Sequence, residues 1–307
     1  MRRRGLSVVY TLLCVLFLGY LAFVLYGAPP AAVEADAPGE AAQEEAGRPL
    51  RALADVLHSR VLLPLQGIYQ KPELPNGCEA TSLAAILRYY GYPADKIELA
   101  YTFIPRKDFV EDMTQRHGAD PEAAYAGDPA GTGFYCFGTP LAQGANAYLQ
   151  SVGAEETAED LTGCTPFVLR RVLAEGRPVA VWTTLKLEAL QYSSTYWWNF
   201  FDSETLYIPQ TNLHCVVLYG YDADSYYLFD PLYGAVSAPR LLFETRWIEM
   251  GSRAVALDQA PAAPPFLRGG VAVFPASEDA WQQPSYQEAE EPIWLVQPQN
   301  LWQNIWY

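Results

Sequence analysis

With 307 residues, half of them apolar, the chain can form one sizeable globular domain with appendages. A formal net charge of −15 gives a surface that repels phosphate backbones, which argues against a nucleic-acid partner. The 21 Tyr and 8 Trp argue against disorder over most of the chain.

The N-terminus reads as a targeting segment. Arg2, Arg3 and Arg4 precede an uncharged run over residues 6–26. As a helix, that run spans about 30 Å, one hydrocarbon core. Arginines before the run and acids after it place the N-terminus in the cytoplasm. A cleaved signal peptide is the competing reading, although its apolar region is usually shorter. Either one exports the rest of the chain. We expect residues 1–27 to be a basic stub and transmembrane anchor in the cell membrane, with the domain extracytoplasmic. Residues 28–49 open on "APPAAVEADAPGEAAQEEAG", a composition that cannot bury a core and reads as an extended tether.

A domain is expected over residues 50–258. "LRALADVLHSRVLLPL" reads as a short helix and an entering strand. In "LPNGCEATSLAAILRYYGY", Cys78 follows an Asn-Gly turn. Leu83, Ile86, Leu87 and Tyr90 then fall at helical spacing and Gly91 closes the run. The pattern predicts a helix beginning at Cys78. A second helix is expected over 95–103, a loop rich in Gly, Asp and Pro over 105–136, and a third helix over 140–149. A fourth has clear bounds: Thr165 as cap, Pro166 at the first position, Gly176 just past the end. Strands follow over 178–185, 213–222, 225–231 and 253–257, and the turn Asp222-Ala223-Asp224-Ser225 joins two of them into an antiparallel hairpin. Helices first and strands later indicate an α+β domain. Residues 259–307 form an extension rich in Pro, Gln and acids, with Trp294, Trp302 and Trp306. It is either disordered or packs its aromatics, and "RGGVAVFPA" within it reads as a short strand.

Cys14 lies in the apolar N-terminal run, leaving Cys78, Cys136, Cys164 and Cys215 for the domain. No CxxC pair exists, which argues against a structural zinc site, and we expect neither metal nor cofactor. A Cys136–Cys164 disulfide is compatible with an exported domain.

Cys78 is placed for chemistry. A helix N-terminus offers free N–H groups and a positive dipole end, which stabilise a thiolate and leave a donor for an oxyanion. A buried, inert cysteine at a helix start is the bland alternative. A thiol needs a base, and the chain has three histidines. His58 lies in a polar stretch and His117 in the acidic loop, whereas His214 sits in the apolar strand "LHCVVLYGYD". An imidazole base needs an orienting acceptor. Asp230 ends the next strand, in "YYLFDP", and a hairpin can bring the end of that strand beside the start of the His214 strand, although a plain Asp-Pro turn reads the same. Gln70, eight residues before Cys78, offers a side-chain amide as second oxyanion donor. The segment 192–209 carries seven aromatics, either as a wall for a peptide or packed on themselves.

The order Gln, Cys at a helix start, His on a strand and Asp on the next resembles the papain-like cysteine peptidases. The chain is most similar to the bacterial bacteriocin-leader (double-glycine) peptidases and their C-thirty-nine-like relatives, through "ELPNGCEATSLAAILRYYGY", "GRPVAVWTT", "HCVVLYGYD" and "FDPLYG", with a looser echo in "FETRWIEMGSRAVAL". The likeness covers roughly residues 63–257. It implies a papain-like fold, N-terminal helices on an antiparallel sheet, and thiol hydrolysis of peptide bonds in a peptide or protein substrate. By that likeness Cys78 is the nucleophile, His214 the general base and acid, and Asp230 the orienting group. Gln70 departs from the pattern, since the usual Gln-to-Cys gap is shorter. The leader peptidases proper are fused to transporters on the cytoplasmic side, so cleavage after Gly-Gly is not expected of an outward-facing domain. A transpeptidase, transglutaminase-like enzyme or wall amidase would use the same three groups. A surface binding module without catalysis would keep the fold alone.

Overall fold

The computed structural model describes residues 60–113, 115–201, 204–261, 267–268, 271–272 and 282–289. The expected anchor, the linker, His58 and the three late tryptophans lie outside these residues. No helix among the described residues is long and apolar enough to cross a membrane.

A seven-stranded sheet organises the domain. Its strands in chain order are β1 (Val61–Leu62), β2 (Ala158–Asp160), β3 (Val179–Thr184), β4 (Leu213–Tyr221), β5 (Ser225–Asp230), β6 (Gly234–Pro239) and β7 (Ala254–Leu257). In space they run β6-β5-β4-β3-β7-β2, with β1 added to the far end of β4 through Val61 opposite Tyr221. Every pairing in this sheet is antiparallel.

Helices cover both faces, which is why β3 and β4 read as unbroken apolar runs. Along β3, Ala180 and Trp182 enter one core while Val179 and Val181 enter the other. The first core is closed by α1 (Cys78–Tyr89) and α2 (Gly138–Ser151). The second is closed by α3 (Pro166–Ala174) and α4 (Arg240–Glu249). The expectation of helices confined to the first half is therefore corrected: α4 follows β6 and buries Phe243 and Trp247 completely.

Local chemistry explains the elements. Helix α1 is buried from Cys78 to Leu87, and its Ala80, Ala84 and Ala85 let it lie close to the sheet. Thr165 caps α3 by accepting from the Val168 N–H at 3.4 Å, with Pro166 at the first position and Gly176 beyond the end at φ +86°. Asp95 caps a short helical turn, Lys96–Glu98, which runs on as a π-helical turn over Leu99–Phe103. The β4–β5 hairpin turns at Asp222, whose Oδ1 accepts from the N–H groups of Asp224 and Ser225. A bulge between Leu218 and Gly220 bends β4, and Gly220 admits β1: a Cβ there would lie 2.6 Å from the Val61 carbonyl oxygen.

The stretch expected as a loop over 105–136 contains short strands. One of them, Arg116–Gly118, pairs with Trp197–Asn199 in a small four-stranded sheet. The aromatic segment 192–209 divides accordingly. Trp197 is buried against Phe109, Phe134 and Tyr207, while Tyr192, Tyr196 and Phe201 are exposed. The Cys136–Cys164 disulfide is not formed. Cys136 lies in the first core and Cys164 packs against the second, so the sheet stands between them. In the extension, Leu267–Arg268 pairs with Val271–Ala272, and Ser285 bridges to Ser237 on β6.

Candidate active site

Segments far apart in sequence meet where α1 begins. Gly77 precedes the helix without a side-chain cap, and Cys78 is the first residue of α1. Helix α1 docks on β4 at one residue: the Ser82 hydroxyl donates to the Cys215 carbonyl at 3.3 Å, and the Cys215 N–H donates to Cys78 Sγ at 3.4 Å. The sulfur thus lies against the peptide that joins His214 to Cys215. Cys78 retains 6 % of its surface exposed and His214 2 %, so bulk water is largely excluded from both side chains, and the thiol donates to Glu79 Oε2.

The hairpin brings the third group. With Val217 opposite Phe229, Asp230 falls diagonally across from His214. His214 Nε2 lies 2.7 Å from Asp230 Oδ1. A carboxylate only accepts, so Nε2 carries the proton and Nδ1 keeps the lone pair. Asp230 is fully buried, and its Oδ1 also accepts from the N–H groups of Leu232 at 2.7 Å and Tyr233 at 3.3 Å. The Asp-Pro turn that competed with the functional reading is what aims this carboxylate. Its Oδ2 accepts from the Tyr286 hydroxyl at 3.0 Å.

Gln70 is buried and tied to both sides of the site. Its backbone N–H donates to the Pro231 carbonyl at 3.0 Å, next to Asp230. Its Nε2 donates to the Pro75 carbonyl at 2.6 Å, three residues before Cys78. The long Gln-to-Cys gap is absorbed by consecutive turns, Leu74 N–H to the Gln70 carbonyl and Gly77 N–H to the Leu74 carbonyl. Lys96 Nζ staples this loop, donating to the carbonyls of Tyr69 and Gln70 and pairing with Glu73. Gln70 Oε1 is buried without a partner. His117 is not brought to Cys78; its ring lies 3.3 Å from Asp112 and stacks on Phe200 at the small sheet.

Glu79 was not anticipated. It is fully buried, its Oε2 3.3 Å from Cys78 Sγ and its Oε1 accepting from the Cys136 N–H at 3.2 Å. The Trp182 indole N–H fixes the same segment by donating to the Cys136 carbonyl at 2.9 Å. Burial raises the Glu79 carboxyl to about 7, against which its hydrogen bonds and the nearby His214 pull weakly. The sequence signal was an acid in the first turn of a helix that is otherwise apolar or small up to Arg88 in its last turn. Tyr286 left no comparable signal.

One electrostatic expectation is corrected. The helix terminus was expected to make Cys78 acidic, but burial, then the Glu79 charge, push its thiol well above the usual value. The Cys215 N–H works the other way and does not offset them. A thiolate in this site therefore depends on a proton acceptor that becomes positive beside it, and on the charge state of Glu79.

The comparisons agree with this architecture. Residues 63–255 match the Peptidase_C39 like family. An uncharacterized protein of Bacillus subtilis strain 168, YvpB, is 34 % identical over 192 residues, which cover 61 % of this chain and 71 % of YvpB. A solved structure named for a C39-like peptidase from Bacillus anthracis superposes with a TM-score of 0.57 at 34 % identity, over 66 % of this chain and 99 % of that one. With the family match spanning well over half of its length, the chain belongs to the Peptidase_C39 like family.

Proposed function

We propose that this chain is a cysteine peptidase that works through an acyl-enzyme, with Cys78 as nucleophile, His214 as base and acid, and Asp230 as orienting group. The observation that carries the reading is the meeting of α1 and the β4–β5 hairpin. The Cys215 N–H touches Cys78 Sγ at 3.4 Å, and the adjoining imidazole holds Asp230 at 2.7 Å. In the reaction, Nδ1 of His214 takes the thiol proton and the sulfur attacks the substrate carbonyl carbon. The resulting oxyanion accepts from the free N–H at the start of α1 and from the second hydrogen of the Gln70 amide. The imidazolium then protonates the departing amine, and water, deprotonated by the same imidazole, releases the acyl group.

The outward-facing, membrane-anchored setting belongs to the same proposal. It rests on Arg2–Arg4 ahead of the apolar run over residues 6–26. Iodoacetamide labelling read by mass spectrometry tests the chemistry. Cys78 is expected to label with an acid limb set by His214 that vanishes in His214→Ala, peptide turnover to be bell-shaped in pH, and hydrolysis to vanish in Cys78→Ser. Wild-type labelling in the His214 variant would refute the base assignment. Transfer to an added amine in place of hydrolysis would assign the site to a transpeptidase instead.

A further inference from the structure

The family match ends at residue 255, yet the buried acid of the site is completed by a residue beyond it. Asp230 Oδ1 serves His214 and two backbone N–H groups, whereas Oδ2 turns away from them and accepts from the Tyr286 hydroxyl. Tyr286 is 4 % exposed and meets Tyr233 edge to face, with ring centroids 6.2 Å apart.

The segment that delivers it is clasped to the domain. The Ser237 N–H donates to the Pro284 carbonyl at 2.9 Å, and the Ser237 hydroxyl donates to the Gln283 carbonyl at 3.0 Å. The Tyr219 hydroxyl donates to the Gln283 side chain at 2.9 Å. Beyond Tyr286, Glu288 accepts from both the N–H and the hydroxyl of Ser285, which closes a turn around the tyrosine. Ordering such a segment costs conformational entropy, and the burial of the Tyr286 ring and these bonds offset it.

We propose that Tyr286 is a positioning residue of the active site, holding Asp230 through Oδ2 so that Oδ1 stays aimed at His214 Nε2, and that residues 283–288 are a working part of the enzyme. The inference rests on the cysteine-peptidase reading. A donor on Oδ2 draws charge from the carboxylate. It thereby limits how tightly the imidazolium holds its proton, which the leaving amine must receive. Among the described residues, the titratable groups around the His214–Asp230 pair are Cys78 and Glu79 from α1, Cys215 beside His214 on β4, Tyr233 after Asp230, and Tyr286 itself, with Lys186 one ring further out over Tyr233.

The test compares the full chain with Tyr286→Phe, which keeps the ring and removes only the hydroxyl. Iodoacetamide labelling of Cys78 is followed across pH, alongside turnover of a fluorogenic peptide that the wild type cleaves. The expected result is a turnover loss of about tenfold, with the alkaline limb of the turnover profile displaced upward by about half a pH unit. An inactive fraction alone would scale the amplitude and leave the limb in place. If Tyr286→Phe does not fold, Ser237→Ala loosens the same segment and is expected to move both readouts in the same direction by less. Wild-type limb and turnover in whichever variant folds overturn the positioning role. A wild type that cleaves no peptide and whose Cys78 labels without a His214-dependent acid limb overturns the peptidase reading itself, whatever the variants do.

Discussion

Replacing Glu79 by Gln tests the electrostatics of the site most sharply. The substitution keeps the shape, and the amide oxygen still accepts from the Cys136 N–H. Toward Cys78 it exchanges a charged acceptor at 3.3 Å for an N–H donor. Two unit charges at that separation repel by on the order of 5 kcal/mol at an effective dielectric of about 20. The repulsion acts only where Glu79 is ionised, above about 7. Below about pH 6 the wild type and variant should therefore label with iodoacetamide at similar rates, and near pH 8 the variant should label about tenfold faster or more. Stability should change in parallel. The folded state keeps the Glu79 proton up to about 7 while the unfolded chain releases it near 4.5. The wild type is thus most stable below the unfolded value and loses about 3 kcal/mol as pH rises through the folded one. The Glu79→Gln variant would have no such slope, so its advantage in urea melts should grow between pH 5 and pH 8. A variant that labels no faster than wild type near pH 8, or a stability difference that ignores pH, would refute the assignment of a buried, neutral-leaning carboxyl beside the sulfur.

Two further outcomes follow from single contacts. Gln70→Ala removes the proposed second oxyanion donor and should lower kcat on the order of a hundredfold with little change in Cys78 labelling, whereas equal losses in both would mean that the Gln70–Pro231 link merely holds the loop. Thr165→Ala removes the cap of α3 and should cost about 1 kcal/mol in a denaturant melt without altering the labelling profile.

Much of the frame was legible because short-range chemistry set it. Thr165-Pro166 and Gly176 bound α3, the Asp222 turn fixed the hairpin register, and that register carried Asp230 to His214. Strands without a strong pattern escaped. Gly234–Pro239 is "GAVSAP", small and partly polar, and it is a strand because β5 already offers a ladder to pair with. Helix α4 escaped because its buried residues, Phe243 and Trp247, are too few to make an apolar stripe. The aromatic segment 192–209 resolved both ways at once, since Trp197 found Phe109 and Phe134 in a loop more than sixty residues earlier.

The residues hardest to read share one property: their meaning depends on a neighbour distant in sequence. Glu79 looks like an ordinary first-turn acid until Cys136, 57 residues away, supplies a buried N–H that lets its carboxyl stay inside. Asp230 looks complete with His214 until Tyr286, 56 residues away, takes its second oxygen. A carboxylate buried to zero exposure with one oxygen unserved would be poorly tolerated, so a donor for Oδ2 was demanded by physics even though no local pattern named it. The same argument bears on Gln70, whose Oε1 is buried without a partner among the described residues. A donor that reaches that oxygen gains a hydrogen bond no other group has claimed among the described residues.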